Sequence, residues 1–342
     1  MDILIKSFNR PFYLDRALSS IEKFVTGKTC VKVLDDGTPQ KYLDKIQIKF
    51  PEVIIIKSDS YIEKSEAIKR NLCDGTDING FQIPVDLWIQ AAKNASPYFI
   101  MTEDDVWFTE PVNLISLQQQ CEQYGINLLK LGWLGNSQDD AYLKMDKLTE
   151  NINTIIPQNL FLSNRIMMEA FFYNYYKFYT LLYKLGKVDN HTRQKYWALN
   201  SILMGLYKKE YWLEIWRKMN GKVDEKRQLI NASTYYRKKK HNPNFCARLK
   251  KEVMKTTFQS SATNSYHEYG YNFDVNYFNH LLNEAWYSEQ LDSLQNFPND
   301  FEMKYFEKFA DENVDITEFR KWVVHFKQQY KNLGADVGQH TV

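Results

Sequence analysis

The chain has 342 residues, long enough for one sizeable core or for two domains. Hydrophobic residues make up 44% and charged residues 25%, ordinary for a globular protein, and a net charge of +2 excludes a general nucleic-acid binder, which needs a strong basic excess. Four scattered cysteines (Cys30, Cys73, Cys121, Cys246) with no Cys-x-x-Cys pair fit reduced thiols better than a disulfide framework or a zinc site.

Met1 leads almost directly into the strand-like run Ile3 to Ile5, which leaves no room for a signal peptide. No stretch approaches the ~18 uncharged apolar residues of a transmembrane helix. The expected location is cytoplasmic, with the inner membrane face as a peripheral contact. Lys6 to Pro11 breaks the first strand, and Leu14, Leu18, Ile21 and Val25 then recur at helical steps, with Pro11 suited to the first turn and Gly27 to the stop. Val31 to Leu34 reads as a second strand ending in Asp35-Asp36-Gly37-Thr38. Tyr42, Ile46 and Phe50 mark a second helix, and Val53 to Ile56 a third strand. Strand alternating with helix predicts an α/β fold with a mostly parallel sheet.

Helices are expected around Ser65 to Leu72 and Val85 to Ala92, feeding an apolar strand at Tyr98 to Met101. Three acids follow directly: Glu103, Asp104 and Asp105. Stacked at a strand end, they repel one another, and a divalent cation is the simplest offset, because Mg²⁺ and Mn²⁺ prefer carboxylate oxygens. A solvated acidic turn is the alternative. Ligands of an open parallel sheet sit beyond the carboxyl ends of its strands, so Ser7 to Arg10, Asp35 to Thr38 and Glu103 to Asp105 should converge on one rim.

Further on, Leu128 to Leu131 reads as a strand, residues 137–157 as a polar loop or lid, and Asn159 to Leu162 as a short strand. Ile166 to Leu185 reads as one long aromatic helix, ringed on most sides and therefore packed on several faces, with membrane contact as the alternative. A helix is expected from about Lys195 to Trp216. The basic cluster Tyr235 to His241 reads as a solvated helix end, or as a contact for anionic lipid or a phosphate-bearing acceptor. From about Val275 the pattern is helical to Leu333. Gly27-Lys28-Thr29 is no phosphate-binding loop, since Glu22 stands where the earlier glycine belongs, and no Gly-x-Gly-x-x-Gly follows the first strand.

Three motifs in this order resemble the family 2-type glycosyltransferases with the GT-A fold. They are Lys6-Ser7-Phe8-Asn9-Arg10-Pro11, Val33-Leu34-Asp35-Asp36-Gly37-Thr38 and Met101-Thr102-Glu103-Asp104-Asp105. The resemblance covers the first 110 or so residues well and the C-terminal hundred hardly at all. It implies a mixed, mostly parallel sheet flanked by helices, with a GT-A domain over residues 1–240 (nucleotide-binding half 1–110, acceptor half 111–240) and a mainly helical region over 241–342. It also implies a metal-dependent transfer of sugar from a nucleotide-diphosphate sugar, UDP favoured, to a glycan or lipid-linked acceptor, as in surface polysaccharide synthesis.

Residue by residue, the resemblance implies that Phe8 packs on the nucleotide base and Asp36 accepts from base or ribose. Lys6, Ser7 and Arg10 line the same pocket, Asp35 either joins them or serves the turn instead, and Lys69 or Arg70 faces base or diphosphate. Asp104 lies near the donor sugar as a catalytic carboxylate, and Asp105 is the direct Mn²⁺ or Mg²⁺ ligand. Glu103 and a late histidine, His267, are further metal candidates. The acidic pair that supplies the base in inverting members is missing; Asp189 is the first candidate for that role, and Asp224 with Glu225 the second, each against a helix-cap alternative. A catalytically silent GT-A-like glycan- or partner-binding protein is the competing reading. The C-terminal helices offer a homodimer contact.

Overall fold

The computed structural model describes residues 1–76, 82–135, 143–219, 221–261, 270–332 and 334–337. Its centre is a mixed sheet that has eight strands among these residues. In chain order the strands are β1 (Asp2–Ser7), β2 (Cys30–Asp35), β3 (Ile54–Lys57), β4 (Tyr98–Glu103), β5 (Leu128–Lys130), β6 (Ile152–Thr154), β7 (Gly205–Lys208) and β8 (Cys246–Leu249). In space they run β6-β8-β5-β7-β4-β1-β2-β3. The block β4-β1-β2-β3 is parallel throughout. β7 lies antiparallel to both β4 and β5, β8 is parallel to β5, and β6 closes the far edge antiparallel to β8. A mixed, mostly parallel sheet with helices on both faces and a helix-rich C-terminal region is the architecture expected of the GT-A class.

Strand alternation divides the core. Ile3 and Ile5 of β1 face one cluster together with Val33, Ile100 and Leu129, whereas Leu4 faces the other with Leu34, Phe99 and Leu128. On the first face lie α1 (Pro11–Phe24), α2 (Gln40–Lys49) and α5 (Leu114–Tyr124). The helices α3 (Tyr61–Asp74), α4 (Val85–Lys93), α8 (Lys209–Ile215) and α9 (Glu225–Lys239) belong elsewhere: α4, α8 and α9 cover the second face, and α3 flanks the end of β2. The start of α1 follows its sequence closely, with Pro11 in the first turn and Leu14, Leu18 and Ile21 buried.

The C-terminal helices are α10 (Val275–Tyr287), α11 (Met303–Glu307) and α12 (Ile316–Asn332). Phe278, Trp286, Phe306, Phe319 and Trp322 share the cluster that holds Ile3, Phe12 and Val33, so these helices pack into the same core as β1. The sheet also continues past residue 240, since β8 lies inside it, and Met254–Thr256 pairs antiparallel with Val106–Phe108, directly after the acidic triplet.

Several expected elements differ: β6 lies within residues 137–157, expected as a loop, because it finds a pairing partner in β8, and residues 288–302 interrupt the helical run expected from Val275 to Leu333. The long aromatic helix is broken into α6 (Arg165–Tyr173) and α7 (Phe178–Lys184), because Asn174 adopts a left-handed conformation (φ 57°) and a 3₁₀ turn at Tyr175–Lys177 follows. The helix expected over Lys195 to Trp216 is a 3₁₀ segment (Gln194–Leu199), then β7, then α8. Asn159 to Leu162 is irregular and no strand. No helix among the described residues is long and apolar enough to cross a membrane.

Candidate active site

The three loops meet at one edge. Ser7 stands opposite Asp35, and Lys6 opposite Glu103, in the paired registers of β1 with its two neighbours. Backbone bonds extend each pairing past the strand ends: Asp36 N donates to Ser7 O at 3.0 Å, and Asp104 N to Lys6 O at 2.9 Å. This is the rim beyond the carboxyl ends of parallel strands.

Within the rim, the acids are offset by cations of the chain itself. The Arg10 guanidinium forks between two carboxylates, Nη2 to Asp104 Oδ1 at 2.5 Å and Nη1 to Asp105 Oδ2 at 2.7 Å. Planar two-point geometry of this kind is what guanidinium provides and ammonium does not. Asp104 Oδ2 accepts from Phe8 N at 3.0 Å, so both of its oxygens are engaged. Glu103 is paired with Lys6, whose ammonium also lies over the Trp88 ring at 4.9 Å. The repulsion in the triplet is therefore largely cancelled by Arg10 and Lys6. Burial still dominates: it pushes the Asp104 and Asp105 carboxyls above their ordinary range, against the lowering effect of Arg10. For Arg10, burial alone would favour loss of the proton, and Asp104 and Asp105 outweigh it.

The twin-aspartate turn divides its labour. Asp35 is wholly buried and accepts from Gly37 N (3.1 Å), Thr38 N (2.9 Å) and Thr38 Oγ1 (2.7 Å), which commits its carboxylate to the turn. Asn9 N in turn donates to Thr38 Oγ1 at 2.8 Å, and Asn283 of α10 donates to Asn9 O at 3.0 Å, so α10 braces the loop after β1. Asp36 instead pairs with Lys64 of α3, which also donates to Gln82 O at 2.7 Å. Gly37 holds φ at 135°, and a Cβ there would come within 2.7 Å of Lys64 Cβ and 3.4 Å of the Phe8 ring. Only glycine allows α3 and Phe8 to close over this turn.

Among the described residues, Asp105 Oδ1 and Arg10 Nε are buried rim atoms with no hydrogen-bond partner, and Ser7 Oγ and Asp36 Oδ1 have none in good geometry, although the Ser7 hydroxyl lies by the Asp35 carboxylate and Ser58 by that of Asp36. Buried polar atoms are nearly always satisfied, so a cluster of exceptions at the strand ends marks where a ligand would complete them.

Lys6, Ser7, Phe8, Arg10, Asp35, Asp36, Glu103, Asp104 and Asp105 are thus brought together. Lys69 is not: it lies on the outer face of α3, exposed and paired with Glu66 at 2.6 Å, whereas Lys64, Ser65 and Ile68 form the inner face. Asp189 is likewise placed elsewhere, in an exposed turn where it accepts from His191 N and Thr192 Oγ1, both at 2.9 Å. Asp224 caps α9 by accepting from Arg227 N at 2.9 Å and also accepts from Tyr173 OH at 2.7 Å. His267 lies outside the described residues. Sequence reasoning missed Lys64 and Asn283. The inward spacing of Lys64 with Ser65 and Ile68 on α3 was the available signal for the first.

No protein-family model matches the chain, and no curated protein does. Among solved structures, it is similar to S. aureus TarS 1-349 in complex with UDP-GlcNAc, at 11% identity and a TM-score of 0.43, over 96% of this chain and 80% of that one. It is also similar to the galactosyltransferase LgtC in complex with donor and acceptor sugar analogs, at 17% identity and a TM-score of 0.27, over 39% and 47%. A further match is mouse xyloside xylosyltransferase 1, apo form, at 11% identity and a TM-score of 0.24, over 40% and 54%. All of these superpositions are loose, and what the rim can do chemically is read from its own side chains.

Proposed function

We propose that the chain is a GT-A-type glycosyltransferase that moves a sugar from a nucleotide-diphosphate sugar, with UDP the expected nucleotide, to a glycan or lipid-linked acceptor in surface polysaccharide synthesis. The observation that carries this reading is the meeting of the Lys6–Arg10 loop, the Asp35–Thr38 turn and the acidic triplet at one edge, with Asp105 Oδ1 left for a ligand. Ser7 and Asp36 suit the hydroxyl and amide donors of a ribose or base. Phe8, half-buried beside Gly37, offers a ring face to the base.

Charge decides how the diphosphate is held. Glu103, Asp104, Asp105 and Asp36 stand against Lys6, Arg10 and Lys64, so the rim is already net negative before a ligand arrives. A diphosphate needs a cation there, and Asp105 Oδ1 is the free carboxylate oxygen that would hold Mn²⁺ or Mg²⁺. One or two carboxylates, with water and phosphate oxygens completing the shell, is a normal site for such ions. Both oxygens of Asp104 are engaged, by Arg10 and Phe8 N, whereas Glu103 is engaged by Lys6 through Oε1 alone and stays a further candidate ligand. The chemistry a cation supplies at this position is stabilisation of charge on the departing nucleoside diphosphate.

A screen of UDP-, GDP- and CDP-sugars for Mn²⁺-dependent thermal stabilisation, followed by donor turnover, tests the proposal. One donor class should stabilise the chain only with the metal, and Asp105→Ala should lower turnover by roughly a hundredfold or more. Turnover that survives Asp105→Ala, or no stabilisation by any nucleotide sugar, overturns it. Asp189 and Asp224 are both tied up in turn and cap contacts. That favours, as the second reading, a silent glycan- or partner-binding relative, which would bind donor without turning it over.

A further inference from the structure

The segment formed by α6, the 3₁₀ turn and α7 has two unlike faces. Inward, Phe171, Phe172 and Phe178 pack with Tyr196, Leu229 and Ile230. Outward, Tyr175, Leu181, Tyr183 and Leu185 are exposed, and Tyr176 is completely so, at 101%. Leu181 and Lys184 lie three residues apart on α7, Leu185 follows at its C-cap and Lys177 sits exposed in the turn before it, so two leucines and two lysines are exposed along this segment. The turn before α7 holds non-glycine residues left-handed, with Asn174 at φ 57°, Tyr176 at 53° and Lys177 at 56°. Bulky residues rarely adopt this conformation, and here it carries the Tyr176 ring away from every buried cluster.

Charge selects the occupant. The exposed stretch from Tyr175 to Lys187 contains Lys177, Lys184 and Lys187 and no carboxylate, and the flanking acids are engaged, Glu169 by Arg165 and Arg227 and Asp189 by Thr192. Exposed leucines and tyrosines interspersed with lysines form the composition of a helix lying in a lipid headgroup layer: apolar chains reach the acyl boundary, tyrosines sit at the polar interface, and lysines meet anionic lipid. We infer that the outward face of this hairpin docks the chain on an anionic membrane surface. The basic cluster at the end of α9 does not share these features. Arg237, Lys238 and Lys239 occupy the last helical turn, where they complement the helix dipole, and the nearby Tyr236 is buried against Phe245. The inference does not depend on the donor chemistry at the rim.

Co-sedimentation of the full chain with vesicles tests it, using phosphatidylcholine alone and phosphatidylcholine mixed with phosphatidylglycerol. Binding should require the anionic lipid and fall with added salt. Each neutralised lysine among Lys177→Gln, Lys184→Gln and Lys187→Gln should weaken it roughly fivefold. The triple variant Tyr176→Ser, Leu181→Ser and Leu185→Ser should weaken it by about tenfold or more. These side chains point away from the packed face, so the thermal unfolding midpoint should stay unchanged and serve as the folding control. Absence of binding to either vesicle overturns the inference, as does undiminished binding by both variant sets. Light scattering that shows a dimer dissolved by the serine variant, with no vesicle binding, would assign the face to a second copy of the chain instead.

Discussion

Arg10 and Arg16 lie six residues apart around the start of α1, and both are almost wholly buried, at 4% and 0% exposure. Their surroundings share nothing. Arg10 is held by two carboxylates at a strand-end rim. Arg16 makes no ion pair among the described residues. Its guanidinium donates to the backbone carbonyls of Ser293 (2.9 Å), Gln295 (3.2 Å) and Asn299, and lies over the rings of Trp107, Phe297 and Phe301 at 4.6, 5.2 and 4.5 Å. Burial lowers its pKa, whereas the acids around Arg10 raise that of Arg10. One arginine fastens the irregular segment before α11 onto α1. The other balances charge where a ligand would sit. Carbonyls and ring faces fix a chain in place; a carboxylate pair with one oxygen to spare, Asp105 Oδ1, leaves room for a ligand.

Removing each arginine separates the two roles. Arg10→Ala leaves two buried carboxylates without their cation, and should destabilise the chain by about 3–5 kcal/mol at neutral pH, measured by urea unfolding. Asp104 and Asp105 already sit above their ordinary range through burial, and loss of Arg10 raises them further. The folded variant then keeps protons that the unfolded chain has released. Its stability should therefore rise as pH falls from about 8 to about 5, and decline again as pH climbs through the raised carboxyl range. Arg16→Ala should cost about 3 kcal/mol through three stranded carbonyls and a void among three rings, with little change between the two pH values, because carbonyls do not titrate. Equal pH profiles for the two variants would break the comparison.

Lysines on α3 sharpen it at smaller scale. Lys64 is buried against Asp36, and Lys69 is exposed on the next turn. Lys64→Met should weaken nucleotide-sugar binding by about tenfold by freeing Asp36 from the position that Lys64 imposes, and Lys69→Met should leave it unchanged. Calorimetric titration with the donor found in the screen checks both. The reverse result would move the nucleotide pocket to the outer face of α3.

The rim was legible in the sequence because each of its parts is local. An apolar run that ends in a polar or acidic turn declares a strand end, and helical stripes between such runs fix the order. Side-chain partners are not local: Arg10 meets Asp104 and Asp105 from more than ninety residues away, and Asn283 meets Asn9 from the other end of the chain. Nothing in either stretch alone names the other. Strand β7 was hidden for a different reason. It has four residues, begins with Gly205, and Leu199, Leu203 and Leu206 around it fall at steps of four and three, which imitates a helix stripe. Tertiary pairing with β4 and β5 on both sides overrides that local pattern. The break at Asn174 was written in the sequence, as an asparagine in a run of aromatics, but the unbroken apolar signal on either side concealed it.

Asp189 gives the smallest expected effect and bears directly on where the rim ends. Its carboxylate accepts from His191 N and from Thr192 Oγ1, and these contacts, with Thr192 first, hold its pKa below the usual range. It sits in the turn beside Tyr179, whose hydroxyl donates to Asp189 O, within the same aromatic cluster that underlies the hairpin. Asp189→Ala should loosen that turn by at most about 1 kcal/mol, as loss of a capping side chain does, and leave donor turnover at its original rate. A drop in kcat with the unfolding midpoint preserved would mean that this turn reaches the acceptor. The boundary between the chemical rim and the aromatic hairpin would then have to be redrawn to include it.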